Sequence, residues 1–392
     1  SHMYNSVKGG VTMYKGIECK IYPNLKQQKK IEQTFGCTRF VWNEMLNMIN
    51  QRYQNNKELK MLSYPKLSTL LPVLKYEYTW LKDVDSVAVQ CAVKTLSETF
   101  DRFFKGLCRY PKFKSKKISK QSYLSTIRSN NIRFNDNQRY IKLPKLGWIK
   151  CKSSVQHIEN SRIKSVTVKR KATGCYYISL LVESDNQTLP KTNQSAGIDL
   201  GLTHLAITSD GEKYNSQRLH LKYQKRLYYW EKRVARRRLK AIKNNIPLKD
   251  AKNYKKAKQQ VARIYEKIAN TRKDYIHKIT TDLVEHYDVI VLEDLKTSNM
   301  MKNHKLARSI ASQSWRLFRT FIEYKCAMYG KTSIIVNPYK SSQYCSSCGF
   351  DSGKKELNIR YWTCPECKTE HDRDINASKN ILKFGLEQTL VN

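Results

Sequence analysis

Four cysteines and three acids of this 392-residue chain stand where metal ligands would. Cys345 and Cys348 form a C-x2-C pair in CSSC, and after fifteen intervening residues Cys364 and Cys367 form a second in CPEC. That spacing lets one tight turn present two thiolates to a single ion. Two such turns complete a tetrahedral four-sulfur site, which suits zinc, borderline soft and indifferent to d-electron geometry. Four thiolates leave no open position, so a structural Zn2+ is expected, in a ribbon too small to fold without it. Four unrelated core cysteines is the blander alternative, and iron the weaker metal.

Asp199 lies in GIDLG, Glu293 closes the apolar run VIVLE, and Asp374 lies in DRDIN before the last helical stretch. Singly each has an ordinary explanation: a strand-end acid faces solvent, and Asp372 or Asp374 caps a helix. Together, in a strongly basic chain, they make sense in the interior only if a cation joins them. Hard oxygen ligands are what Mg2+ or Mn2+ prefers. Three carboxylates can hold two such ions about 3.5–4 Å apart, one activating water and one stabilising the leaving oxygen in phosphodiester cleavage. Without cations the same acids would repel one another.

Hydrophobic period predicts the strands and helices around these residues. GIECKIYPN (Gly16 to Asn24) alternates like a strand that Pro23 stops. From Lys26 to about Asn55, Ile31, Phe35, Val41, Met45 and Ile49 recur near helical spacing. A loop is expected around Pro65 and Pro72. A second helix runs from Val87 to about Phe104 on a stripe of Val89, Val93, Leu96, Phe100 and Phe103, with Ser86 as N-cap. The short runs SYLSTI, RYIKLP, WIKCK, IKSVTVKRKA and CYYISLLVES predict a small barrel or sheet. The first strand should join it, making the helices an insertion. LPKTNQS reads as a linker. Beyond it AGIDLGLTHLAITSDG predicts two strands, YDVIVLED a buried strand, Ser309 to Tyr329 a helix, TSIIVNP a strand and NASKNILKFG a closing helix. Strands alternating with helices predict an α/β domain.

The chain has 73 Lys and Arg against 33 Asp and Glu, a formal +40 that no fold requires. Such an excess points to a polyanionic partner, nucleic acid first. The stretch from Arg218 to Lys278 holds 21 of the basic residues and only 4 acids. Within it Tyr254, Ala257, Val261, Ile264 and Ile268 step by three and four, as do Leu227, Trp230 and Val234, which predicts a hairpin of two helices. Arg236, Arg237, Arg238, Lys255 and Lys256 are its candidate backbone contacts, joined by Lys112 and Lys114 in the basic, aromatic YPKFKSKK. The 25 tyrosines and 6 tryptophans are numerous enough to offer stacking platforms. No run reaches the roughly 18 apolar residues of a spanning helix, and no signal peptide is visible. No membrane partner and a cytoplasmic, nucleoid-associated location are therefore expected. The seven cysteines outside the cluster (Cys19, Cys37, Cys91, Cys108, Cys151, Cys175 and Cys326) are scattered as small buried residues are, and suit a reducing interior.

GIDLGLTHLAI, IVLEDL and CSSCG…CPEC…HDRDINASKNI resemble the three split RuvC motifs and the zinc ribbon of the TnpB family. Its members are transposon-encoded, RNA-guided DNA endonucleases that resemble the ancestors of type V CRISPR effectors. KIYPN, FGCTRFVWN and YPKFKSKK are similar to that family too, so the resemblance covers nearly the whole chain, most specifically at its C-terminal motif. It implies a multidomain α+β fold. A β-barrel wedge domain (4–25 and 110–190) would carry a helical recognition insertion (26–109). An RNase H-like, RuvC-type α/β nuclease domain (191–340 and 371–392) would follow, interrupted by a zinc ribbon (341–370) that binds target nucleic acid. Carried across, the family's acids fall on Asp199, Glu293 and Asp374, the last because Asp374-Ile375-Asn376-Ala377 satisfies D-x-N-A. Asp372 is then a cap or a neighbour.

The implied activity is metal-dependent cleavage of double-stranded DNA beside a short adjacent motif, with Mg2+ or Mn2+ at the acids, structural Zn2+ at the cysteines and a guide RNA made from the transposon end. Base pairing by the guide would read most of the target. Three rivals are weighed against this. A nuclease-inactive, RNA-guided DNA-binding regulator would be expected to lack one or more of the acids, and all three stand in register here. A DNA transposase using the same chemistry would hold transposon ends, usually as a multimer, and need no RNA. A plain zinc-ribbon RNA-binding protein leaves the acids unexplained.

Overall fold

The computed structural model describes residues 13–152, 162–184, 188–356 and 358–390. They divide into two compact units on either side of residues 185–187. In the first, β1 (Met13–Tyr22) is followed by α1 (Leu25–Asn55), α2 (Tyr64–Glu77) and α3 (Ser86–Phe104). Six strands come next: β2 (Gln121–Thr126), β3 (Arg133–Phe134), β4 (Tyr140–Leu143), β5 (Gly147–Cys151), β6 (Ile163–Arg170) and β7 (Tyr176–Ser184). All seven form one antiparallel sheet in the order β2-β6-β7-β1-β5-β4-β3. Because β1 pairs with β7 along its length, the three helices leave the sheet and re-enter it as an insertion. Tyr123 of β2 and Ile141 of β4 lie toward opposite ends of the ladder yet share one buried core with Ile21, Val168 and Ile178. A sheet brings its two ends to a common core by curling, as strand twist favours. Residues 4–12 of the first expected segment lie outside the described residues.

Two local expectations change. The segment around Pro65 and Pro72 is α2, not a loop. Pro65 sits in the first helical turn, where its missing N–H costs nothing, and buried Leu67, Leu71 and Leu74 hold the helix through Pro72. The cap of α3 is Asp85, not Ser86. Asp85 Oδ1 accepts from the Val87 amide at 3.0 Å and Oδ2 from the Ser125 hydroxyl at 2.6 Å, so one buried carboxylate serves two donors.

The second unit begins with β8 (Ser195–Asp199), β9 (His204–Thr208) and β10 (Lys213–Asn215), an antiparallel run. The short α4 (Leu219–Lys222) leads into α5 (Gln224–Lys243) and α6 (Lys252–His286). These pair as a hairpin: Ile264 and Ile268 bury against Leu227 and Trp230, Tyr265 donates to Glu231 at 3.1 Å, and Arg237 to Asn253 O at 2.9 Å. Then come β11 (Val289–Glu293), α7 (Thr297–Met300), α8 (His304–Gln313), α9 (Trp315–Tyr329), β12 (Thr332–Val336), β13 (Tyr361–Thr363), β14 (Glu370–Asp372) and α10 (Arg373–Leu390). The single helix expected over Ser309–Tyr329 is broken at Ser314, whose φ is 55°. The turn there buries both Gln313 and Trp315, and Gln313 donates to Leu202 O and to Ser216 at 2.9 and 2.7 Å.

β11 joins β8 and β12 in parallel, giving a mixed five-stranded sheet in the order β10-β9-β8-β11-β12. One face carries Ala196, Ile198, Ile290 and Leu292 into a core with Ile279 and Leu283 of α6 and Phe318 and Ile322 of α9. The other carries Val291 and Val336 against Ile381 and Leu382 of α10. Each fully buried Ile, Leu or Phe is worth about 1.5–3 kcal/mol, so two apolar faces hold this sheet between helices. Among the described residues no helix is long and apolar enough to cross a membrane.

Candidate active site

Strand register brings two of the acids together. β8 and β11 pair in parallel with Ile198 opposite Leu292, so Asp199 and Glu293 follow as neighbours at the same end of adjacent strands. The pleat alternates side chains, which turns both acids to the face opposite Ile198 and Leu292. That is the face α10 covers. α10 approaches where side chains vanish: a Cβ on Gly197 would lie 2.1 Å from Ser378 O and 2.5 Å from Leu382 N. One on Gly385 would lie 2.5 Å from Val291 Cγ1. Gly197 and Val291 each stand two residues before an acid, so the close fit is on the acids' own face. Asp374 sits one turn before Ser378, and Ser378 Oγ donates to Asp374 O at 2.9 Å. The third acid is thereby carried to the strand ends.

Burial and neighbouring charge both act on these carboxyls. Burial pushes the Asp199 carboxyl up to about 8, and the charges of Glu293 and Asp374 push it the same way, against help from the Leu200 amide and Arg373. Glu293 is 7% exposed, and burial raises it in spite of a hydrogen bond from Ser341 Oγ at 2.5 Å. Asp374 is partly buried and meets Arg360 Nη1 at 3.3 and 3.4 Å. Asp372 is occupied differently. Its Oδ1 accepts from the amides of Asp374 and Ile375 at 2.9 and 3.2 Å, and its Oδ2 pairs with Lys213 at 2.6 Å. Burial would raise its carboxyl, but Lys213 and the two amides outweigh that and hold it below its ordinary value. Asp372 is the helix cap. A cleft of about 380 Å³ opens beside Glu293, lined by Leu200, Asp294, Trp315, Arg316 and Arg319 among others.

Three hard oxygen donors whose mutual repulsion a divalent cation would relieve fit Mg2+ or Mn2+. Among the described residues only the four cysteines form a group of three or more whose donor atoms all lie within 4.8 Å, so the carboxylates are spread wider than that. At the cysteines, the Cys345–Cys367 and Cys348–Cys364 sulfurs are 3.6 and 3.7 Å apart. A tetrahedron of zinc–sulfur bonds has edges of about 3.8 Å, so the residues fit the ion. The hydroxyl and amide of Thr369 hold the Cys367 thiol down to about 6, toward the thiolate that binds metal.

The candidate nucleic-acid contacts fall into two sets. Arg236, Arg238, Lys255, Lys256 and Lys112 are exposed. Arg237 is half-buried and holds Asn253 O. Lys114 is engaged within its own unit: Nζ lies 3.3 Å from the Trp42 ring centre, Asn43 donates to its carbonyl at 2.9 Å, and burial lowers its ammonium to about 8. Gly197, Asn376, Asn380 and His371 lie inside the quoted motifs with no role of their own assigned from sequence, and Ser341 lies just outside them.

Three family models match the chain: a helix-turn-helix domain over residues 13–58, "Probable transposase" over 178–304, and a Cas12f1-like TNB domain over 315–381. A "Putative RNA-guided DNA endonuclease" of Streptomyces pristinaespiralis is 34% identical over 371 residues, covering 94% of this chain and 88% of that one. InsQ of Escherichia coli K12, named in the same words, is 30% identical over 385 residues, covering 93% and 91%. A solved Cas12f1–sgRNA–target DNA complex has a protein of similar fold, with a TM-score of 0.56 at 13% identity over 94% of this chain and 98% of that one. At that extent and identity, the chain belongs to the TnpB family.

Proposed function

We propose that this protein is an RNA-guided endonuclease that cuts double-stranded DNA beside a short adjacent motif, with a guide RNA made from its transposon's end. The observation that supports this reading is the register that sets Asp199 and Glu293 at the same end of adjacent strands, on the face covered by α10, whose first turn carries Asp374. The names of the Streptomyces and E. coli relatives support the activity, and the +40 charge supports the partners. Three antiparallel strands extended by two parallel ones, with helices on both faces, fit an RNase H-like domain of the RuvC type over 191–340 and 371–392. The ribbon of 341–370 would interrupt it. The curled sheet of the first unit fits a wedge barrel (4–25 and 110–190) around the helical insertion of 26–109.

Asp199, Glu293 and Asp374 would hold the divalent ions, whose chemistry there is to lower the pKa of water and to neutralise the leaving oxygen. Asp199 would release its proton to serve as a ligand. Ser341 occupies one oxygen of Glu293 and thereby orients the other. Asp372, spent on the cap and Lys213, holds the first turn of α10 and with it Asp374. Cys345, Cys348, Cys364 and Cys367 would hold zinc.

The test is cleavage of a plasmid library carrying a guide-matched target beside randomised bases. Mg2+-dependent cutting next to one motif is expected from the wild type, and none from Asp199→Ala, whose RNA binding survives. Cutting that persists in Asp199→Ala, Glu293→Ala and Asp374→Ala alike would overturn the site.

A further inference from the structure

The cysteine ribbon and the acids are joined by a run of hydrogen bonds, several of them buried. Ser341, 7% exposed, donates to Glu293, and four residues later Cys345 opens the first knuckle. α10 grips the backbone between them. Asn380 Nδ2 donates to the carbonyls of Ser341 and Tyr344, both at 2.8 Å. Asn376 Nδ2 donates to Tyr344 O at 2.8 Å, and its Oδ1 accepts from the Ser346 amide at 2.8 Å. Asn376 and Asn380 are 1% and 2% exposed, so leaving these bonds unmade is costly. On the other side, His371 Nε2 lies 3.0 Å from Cys345 Sγ, with its ring 4.8 Å from that of Trp362, its partner across β13 and β14. The next residue is Asp372, the cap of the helix that carries Asp374. The Arg360 carbonyl completes the connection, accepting from the Arg373 amide at 2.8 Å.

We infer that the cysteine ribbon is a positioning part of the acid centre. Metal at the four cysteines fixes the knuckle that sets Ser341 on Glu293 and the strand that leads into Asp372 and Asp374. Its loss weakens divalent-ion binding at carboxylates that no cysteine touches. The physical reason is that a ribbon this small is ordered by its ion, while outer partners of a metal ligand typically govern about 10–100-fold in affinity. Ser341, Asn376, Asn380 and His371 are positioning residues, not catalytic ones. The inference rests on reading Asp199, Glu293 and Asp374 as a divalent-cation site.

The experiment titrates Mn2+ into the full chain, following free ion by electron paramagnetic resonance, with zinc content and thermal unfolding measured on each sample. Asp199→Ala tests the underlying reading: unchanged Mn2+ binding there removes the site and the coupling with it. With that control weakened as expected, Cys348→Ser loses zinc and binds Mn2+ about tenfold or more weakly. Ser341→Ala keeps its zinc and its unfolding midpoint yet binds Mn2+ about tenfold more weakly, and Ser341→Thr, which retains the hydroxyl, restores the affinity. Should Cys348→Ser fail to fold, Ser341→Ala decides alone. Mn2+ affinity within twofold of wild type in Ser341→Ala, with Asp199→Ala impaired, overturns the coupling and leaves the acid site standing.

Discussion

Gly197→Ala tests whether α10 sets the geometry of the acids. The added methyl would lie 2.1 Å from Ser378 O, 2.5 Å from Leu382 N and 2.9 Å from Leu382 Cβ. A carbon and a carbonyl oxygen touch at about 3.3 Å, so the helix must retreat by about an ångström. The two nearest obstacles are backbone atoms, and no change of rotamer relieves them. Overpacking of this kind costs about 1–3 kcal/mol. Asp374 lies one turn upstream on the same helix, tied to Ser378 through its own carbonyl, so its carboxylate moves too. A misplacement of about 1 Å at a reacting centre costs about 100-fold in rate. Single-turnover cleavage of a guide-matched plasmid should therefore slow about 100-fold, with urea unfolding reporting the lost 1–3 kcal/mol and RNA affinity unchanged. Gly36→Ala, in α1 with nothing within 4 Å of the new carbon, is the control and should be neutral or slightly stabilising. A Gly197→Ala enzyme that cuts within twofold of wild type would show that the close approach of α10 does not set the position of Asp374.

Three further outcomes are expected. Asp199's carboxyl goes from an ordinary 3.8 to about 8 on folding, so between those values the folded chain holds a proton that the unfolded chain has released. Stability of the metal-free protein should thus fall as pH rises through that window. Asp199→Asn should lack that part of the decline, and parallel unfolding curves for the two in chelator would count against the raised carboxyl. Asp372→Ala should cost about 1 kcal/mol of stability as a lost cap and slow cleavage modestly, whereas Asp374→Ala should abolish cleavage; the opposite ranking of rates would exchange their roles. Lys114→Ala should lower the unfolding midpoint and leave the salt dependence of RNA binding alone. Arg236→Ala or Lys255→Ala should each reduce the slope of log affinity against log salt by about 1, as filter binding would show.

Local sequence was informative wherever a few neighbouring residues decide the outcome. β1, α1 and α3 are legible in their apolar periods, and the hairpin of α5 and α6 in its seam of Ile264 and Ile268. Pro72 misleads because tertiary burial of Leu67, Leu71 and Leu74 outweighs a backbone preference. Ser86 misleads because Asp85 has a second donor, Ser125, that lies on a strand far along the chain. The break at Ser314 is invisible because its cause, the polar partners of Gln313, comes from Leu202 and Ser216.

The same divide runs through the candidate site. The C-x2-C pairs are legible locally, since one turn sets where two thiolates point, and Asp199, Glu293 and Asp374 stand out as acids at the ends of apolar elements. Sequence by itself also determined the charge, which needs no fold. Tertiary structure alone decided that Ile198 stands opposite Leu292, so that two strand ends present their acids to one face. It alone decided that Gly197 and Gly385 let α10 lie close enough to bring Asp374 there, and that Ser341, Asn376 and Asn380 bind the ribbon to that helix. Register, close approach and buried hydrogen bonds between remote segments depend on how whole elements pack, and no short stretch of chain specifies them.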